Sequence, residues 1–61
     1  MTAKQIIERL KKEGWRLARQ KGSHKQFKHP EKQILITVPD HGKVDLRPGT
    51  QNDIFKKAGW K

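Results

Sequence analysis

The fold is decided by residues 15–38, which run WRLARQKGSHKQFKHPEKQILITV. Trp15 and Leu17 are spaced two apart, and residues 33–38 are rich in β-branched side chains, and both features are typical of strands. Turn sequences at 21–23 and 30–32 divide the stretch. We therefore predict three antiparallel strands, over residues 15–19, 24–29 and 33–38, with Pro39 ending the last.

Helices are predicted on both sides of these strands. Thr2 and Gln5 have the spacing of a capping box, and Ile6, Ile7 and Leu10 follow at helical spacing, which predicts a helix over 3–13 that Gly14 ends. After a loop at 39–49, Thr50 and an acidic first turn predict the start of a second helix. Ile54, Phe55 and Ala58 give that helix its apolar stripe, and Gly59 ends it. Val44 and Leu46 are expected to pack the loop against the core.

The predicted order is α-β-β-β-α in a single domain spanning residues 1–61, because a chain of 61 residues is too short for two domains. The fold class is α+β. The two helices cover one face of a three-stranded antiparallel sheet, and the other face is left to solvent.

Charge and composition limit the possible partners and compartments. The chain has 15 Lys or Arg and 6 Asp or Glu, so its net charge is 15 − 6 = +9, and residues 14–33 hold 6 − 1 = +5 of it. Such clustering favours a nucleic-acid partner. The chain has no cysteine, and its longest apolar run is residues 34–36. We therefore expect a soluble, cytoplasmic protein with no disulfide, no Cys-based metal site and no membrane partner.

The histidines are separated by strand alternation. If Phe27 faces the helices, His24, Gln26 and Lys28 face the open side of the sheet, and His29 lies half-buried on the side of Phe27. Imidazoles on opposite faces cannot chelate one ion, so we expect no metal and no cofactor. Ser23 and His24 are neighbours on the chain whose side chains diverge, which argues against a serine triad.

A single histidine in a basic setting can cleave RNA, because the nucleophile is the 2′-hydroxyl of the substrate. His24 would act as general base, or as acid for the leaving 5′-oxygen. Lys21, Lys25 and Lys28 would hold phosphates, and the Gly22-Ser23 turn would add backbone amides. Two alternatives stay open at this point: a double-stranded-RNA-binding module that does not cleave, and a domain that binds an acidic protein.

Several linked motifs resemble one family. They are Gly14-Trp15 after an amphipathic helix, Lys21-Gly22-Ser23-His24-Lys25-Gln26-Phe27-Lys28-His29-Pro30, Val38-Pro39-x-His41, Pro48-Gly49-Thr50 and Ile54-x-x-x-Ala58-Gly59. Together they resemble the HicA toxins, also called YcfA-like proteins, over nearly the whole chain.

The resemblance implies a fold similar to the double-stranded-RNA-binding domain and activity as an mRNA interferase, the toxin of a type II toxin–antitoxin system, which inhibits translation. It implies His24 as the catalytic residue and His41 at a second recurring histidine position, with a possible auxiliary role. It also implies a HicB-like antitoxin that covers the site. We expect a monomer when the protein is free and a hetero-oligomer with the antitoxin.

Overall fold

The computed structural model describes residues 1–41 and 44–60, so residues 42–43 of the predicted loop lie outside the described residues. The elements are α1 (Ala3–Lys12), β1 (Arg16–Lys21), β2 (His24–His29), β3 (Lys32–Pro39) and α2 (Pro48–Ala58). The predicted α+β class and α-β-β-β-α order are confirmed.

Helix α1 begins at the predicted capping box. The Oγ1 of Thr2 accepts from the amide of Gln5 at 3.2 Å, and the Oε1 of Gln5 accepts from the amide of Thr2 at 2.9 Å. Two amides that lack partners inside the helix are satisfied in this way. The buried residues of α1 are Ala3, Ile6, Ile7 and Leu10.

The three strands form an antiparallel meander in the order β1-β2-β3, so β2 is central. Phe27 of β2 pairs with Leu17 of β1 and Ile36 of β3, and Lys25 pairs with Val38. Paired residues share a face of the sheet. Because Phe27, Ile36 and Val38 are buried, this is the face that the helices cover.

Helix α2 begins at Pro48, two residues before the predicted capping residue Thr50. Arg47 precedes the helix and makes no side-chain capping bond. The fixed φ and missing N–H of proline suit the first helical position, so Pro48 starts the helix without a cap. Asp53 consequently lies beyond the first turn, where its carboxylate pairs with Lys57 at 3.0 Å. The helix ends at Gly59, as predicted.

The core combines residues from both helices, the strands and the segment before α2: Ala3, Ile6, Ile7, Leu10, Trp15, Phe27, Ile36, Val38, Leu46, Ile54, Ala58 and Trp60. Leu46 is buried as predicted, but Val44 is 64% exposed, so its expected packing is wrong. The chain bends at Val44, and Asp45 bridges to Thr2, which places Leu46 alone against the start of α1.

Trp60 closes the end of the domain against α1. Its indole Nε1 donates to Oε1 of Glu13 at 2.8 Å, and the guanidinium of Arg9 lies 4.1 Å from the centre of its ring.

Neither helix in the described part of the chain has the length and apolar character that crossing a bilayer requires.

Candidate functional site

The open face of the sheet carries three cross-strand pairs from β1 and β2. Arg16 lies opposite Lys28, Arg19 opposite Gln26, and Lys21 opposite His24. Alternation along β2 separates His24 from the buried Phe27, and His24 is exposed. The predicted placement of His24 on the open face is therefore confirmed.

His24 lies in a depression of about 330 Å³ on this face. The lining residues are Arg19, Lys21, His24, Gln26 and Thr37. Lys21 is directly opposite His24, and Gln26 pairs with Thr37 on the other side. The depression thus brings one imidazole together with two cations and two uncharged polar side chains, which can hold a phosphate and move a proton.

A β-bulge delivers Arg19 to this depression. Leu17 pairs with Phe27, but Arg19 pairs with Gln26, so Ala18 is an extra residue without a partner on β2. Bulges re-aim side chains, because the extra residue reverses the alternation of the strand. Without it, Arg19 would share the face of Leu17. Sequence reasoning missed Arg19, since nothing in the residues around Ala18 marks a bulge.

The open face is strongly basic. The cations Arg16, Arg19, Lys21 and Lys28 take part in none of the salt bridges within the described residues. The six acidic residues lie in the helices, the turns and the loop segments: Glu8, Glu13, Glu31, Asp40, Asp45 and Asp53. Like charges that face each other across a sheet destabilise it, so this arrangement favours binding of a polyanion.

The Gly22-Ser23 turn beside His24 is held from both sides. Gly22 has φ +58°, in the left-handed region, and no atom lies within 4 Å of the position that a Cβ would occupy there. The side-chain amide of Gln20 donates to the carbonyl of Gly22 at 3.2 Å, and the amide of Asp40 donates to the carbonyl of Ser23 at 2.7 Å. The tip of the turn is therefore well placed and open to a ligand.

The structure does not bring Lys25 together with His24. Lys25 faces the helix side, opposite the buried Val38, and its Nζ lies 2.8 Å from Oδ2 of Asp40. The two side chains are separated because adjacent strand residues point to opposite faces, so the predicted grouping of Lys25 with His24 is not seen. Lys28 does lie on the open face, two pairs away from His24, where it lines a second depression with Arg16.

The other two histidines do not line the depression of His24. His41 is exposed and lines a separate depression with Pro39, Leu46 and Arg47, which shares no residue with that of His24. His29 is half-buried, as predicted, and its imidazole is fixed at both nitrogens.

Nδ1 of His29 accepts from the amide of Glu31 at 3.0 Å, so Nε2 carries the proton and donates to the carbonyl of Glu13 at 3.0 Å. The ring also packs edge-on against Trp15, with 5.3 Å between the ring centres. His29 therefore joins the end of β2 to the end of α1.

No group of three or more His, Cys, Asp or Glu residues in ranges 1–41 and 44–60 is arranged to hold a metal ion.

Comparison with protein families identifies the chain. The family described as HicA toxin of bacterial toxin-antitoxin matches residues 3–60, which include both helices and all three strands. The chain belongs to the HicA toxin family. No match is found among curated individual proteins. Membership of the HicA family supports a toxin that works with an antitoxin partner, and every residue that lines the His24 depression lies within the matched region.

Proposed function

We propose that this member of the HicA family is an mRNA interferase: a cytoplasmic endoribonuclease that needs no metal or other cofactor, cleaves mRNA and so inhibits translation. The observation that carries the proposal is the exposed His24 imidazole, which shares one depression with Arg19 and Lys21 on a basic, open sheet face. The family assignment supports the toxin role independently.

The reaction is a transfer of the phosphoryl group within the RNA. In the leading assignment, His24 takes the proton of a 2′-hydroxyl, the 2′-oxygen bonds to the adjacent phosphorus, and the bond from phosphorus to the 5′-oxygen breaks. The products are a 2′,3′-cyclic phosphate and a 5′-hydroxyl. The leaving oxygen needs one proton, which the ammonium of Lys21, directly opposite His24, or a water molecule supplies.

In the opposite assignment, His24 gives its proton to the leaving 5′-oxygen while a water molecule takes the proton of the 2′-hydroxyl, and the same depression accommodates this step. His41 belongs to a different depression, so its auxiliary role in our proposal is to position the chain after β3. Lys21 and Lys28 bind phosphates, and the amides and hydroxyl of Gly22 and Ser23 add contacts at the turn.

The partner that silences the toxin is proposed to be a HicB-like antitoxin with an acidic surface over the His24 depression. The uncompensated charge of the open face supports this choice, because a complementary acidic surface would both bind the toxin and exclude RNA. We propose that the free toxin is a monomer and that the complex with antitoxin is a hetero-oligomer.

The decisive experiment uses purified protein and end-labelled RNA in EDTA. We expect cleavage by the wild type, and we expect His24→Ala to lower the rate by about 10²–10⁴-fold with RNA binding retained, because general acid–base catalysis contributes that much. Lys25→Ala is the matched control and should keep its activity, because Lys25 is next to His24 in the chain but faces the helix side and pairs with Asp40. A 2′-deoxy substitution at the cleavage site should block the reaction, since it removes the nucleophile.

Three other outcomes would contradict the proposal. Equal cleavage by wild type and His24→Ala would refute the catalytic assignment and would point to a contaminating nuclease. RNA that is bound but never cleaved would support the double-stranded-RNA-binding module. Absence of RNA binding would support the domain that binds an acidic protein.

A further inference from the structure

We propose that Arg19 binds the phosphate that is cleaved and stabilises the negative charge that develops on it. This inference rests on the proposed ribonuclease activity and adds a second catalytic residue to His24. Three observations carry it: the position of Arg19 next to His24, the freedom of its guanidinium, and the match between that group and the chemistry of the reaction.

The position of Arg19 follows from the bulge in β1. Arg19 lies opposite Gln26, and His24 is two residues from Gln26 on the same face, so Arg19 and His24 are diagonal neighbours. Diagonal neighbours in an antiparallel pair lie about 7–8 Å apart, within reach of a long side chain. Both side chains line the same depression. A phosphate placed there would contact the guanidinium and the imidazole together.

The guanidinium of Arg19 is not used by the fold. Arg9 shows the contrast: its Nε lies 3.3 Å from Oε2 of Glu13, and its guanidinium packs on the ring of Trp60. Arg19 takes part in none of the side-chain hydrogen bonds or salt bridges within residues 1–41 and 44–60. The bulge turns this unpaired guanidinium towards Lys21 and His24, where like charges repel each other, which favours a role in binding an anionic ligand.

The reaction needs a cation at this place. As the 2′-oxygen bonds to phosphorus and the bond to the 5′-oxygen breaks, negative charge builds on the two non-bridging oxygens. A guanidinium presents two parallel N–H donors to such a pair of oxygens, whereas an ammonium acts as a point charge. Arg19 forms and breaks no covalent bond in this step. The proton of the 2′-hydroxyl goes to His24, and the leaving oxygen takes one from Lys21 or water.

The test separates catalysis from binding by single-turnover cleavage at saturating RNA, with the dissociation constant measured on a 2′-deoxy analogue. We expect Arg19→Ala to lower the single-turnover rate by about 10²–10³-fold, the usual effect of removing one donor from a charge-stabilising site. Arg19→Lys should cleave faster than Arg19→Ala but slower than wild type, because lysine keeps the positive charge but lacks the two parallel N–H donors of the guanidinium. Lys25→Ala is the matched control, since it also removes one positive charge from the sheet, but Lys25 faces the helix side and pairs with Asp40.

Lys25→Ala should leave both the dissociation constant and the saturated rate within about threefold of wild type, because Lys25 makes no contact on the open face. If Arg19→Ala weakens RNA binding but leaves the saturated rate within about threefold of wild type, Arg19 contributes only bulk charge, and this inference is overturned while the ribonuclease proposal stands. If the wild type itself does not cleave RNA, the proposed function fails, and the role of Arg19 fails with it. Circular dichroism of each variant confirms that the substitutions leave the fold intact.

Discussion

Replacement of Gly14 by alanine should destabilise the protein far more than the same change at Gly22. Both glycines have positive φ, +97° and +58° respectively. A Cβ on Gly14 would lie 2.9 Å from Nε2 of His29, whereas a Cβ on Gly22 would meet no atom within 4 Å. The two positions therefore share the backbone penalty, and only Gly14 adds a steric one.

The magnitude follows from the two contributions. A non-glycine residue in the left-handed region costs about 1–2 kcal/mol. At Gly14 the His29 ring must also move, which breaks its hydrogen bond to the carbonyl of Glu13 and adds about 1–2 kcal/mol. Gly14→Ala should thus cost about 2–4 kcal/mol and Gly22→Ala about 1–2 kcal/mol. A domain of this size has roughly 3–9 kcal/mol of stability, so Gly14→Ala removes a large share of it.

Thermal unfolding followed by circular dichroism measures the difference. For a domain of this size each kcal/mol shifts Tm by roughly 4–8 °C, so Gly14→Ala should lower Tm by roughly 10–30 °C. A double-mutant cycle with His29→Ala isolates the contact: in that background Gly14→Ala should cost no more than Gly22→Ala. Equal losses at the two glycines, or an undiminished loss in the His29→Ala background, would refute the reasoning.

Two further predictions concern the C-terminal contact and the RNA contacts. The indole N–H of Trp60 lowers the pKa of Glu13 below its usual 4.5, with burial opposing and Arg9 assisting, so the unfolded chain binds a proton more readily in that range. The stability that this contact contributes is present above about pH 4.5 and lost as the pH falls further. Denaturant titrations should therefore show that the free energy of unfolding changes less between pH 6 and pH 3.5 for Glu13→Gln than for wild type. Lys28→Ala should reduce the slope of log K against log salt by about 0.7 for single-stranded RNA, and Lys25→Ala should leave it unchanged, because Lys25 pairs with Asp40 on the other face. An equal change of slope in both lysine variants would contradict this assignment.

Short-range patterns in the sequence were enough to predict most of the fold. The capping box of α1, the bounds of β2 and the glycine that ends α2 all depend on residues within a few positions of one another. The face of His24 follows from the same kind of local rule, since strand side chains alternate. That rule also places Lys25 beside Phe27, so the sequence alone argued against grouping Lys25 with His24.

The site as a whole depended on contacts between distant segments. Alternation from Leu17 would put Arg19 on the face of Leu17, away from His24, and only the pairing of β1 with β2 leaves Ala18 unpaired and turns Arg19 towards His24. The exposure of Val44 and the burial of Leu46 depend on the bridge from Asp45 to Thr2, over forty positions earlier in the chain.

By itself, the amino-acid sequence determined that this protein is a basic α-β-β-β-α domain with one exposed histidine beside a glycine turn, because helix caps, turn residues and strand alternation are local properties of the chain. Only the tertiary structure decided which cations join that histidine. The register of β1 on β2 belongs to the pairing of the two strands and the turn that joins them, and a single unpaired residue is enough to send every later side chain of a strand to the other side of the sheet.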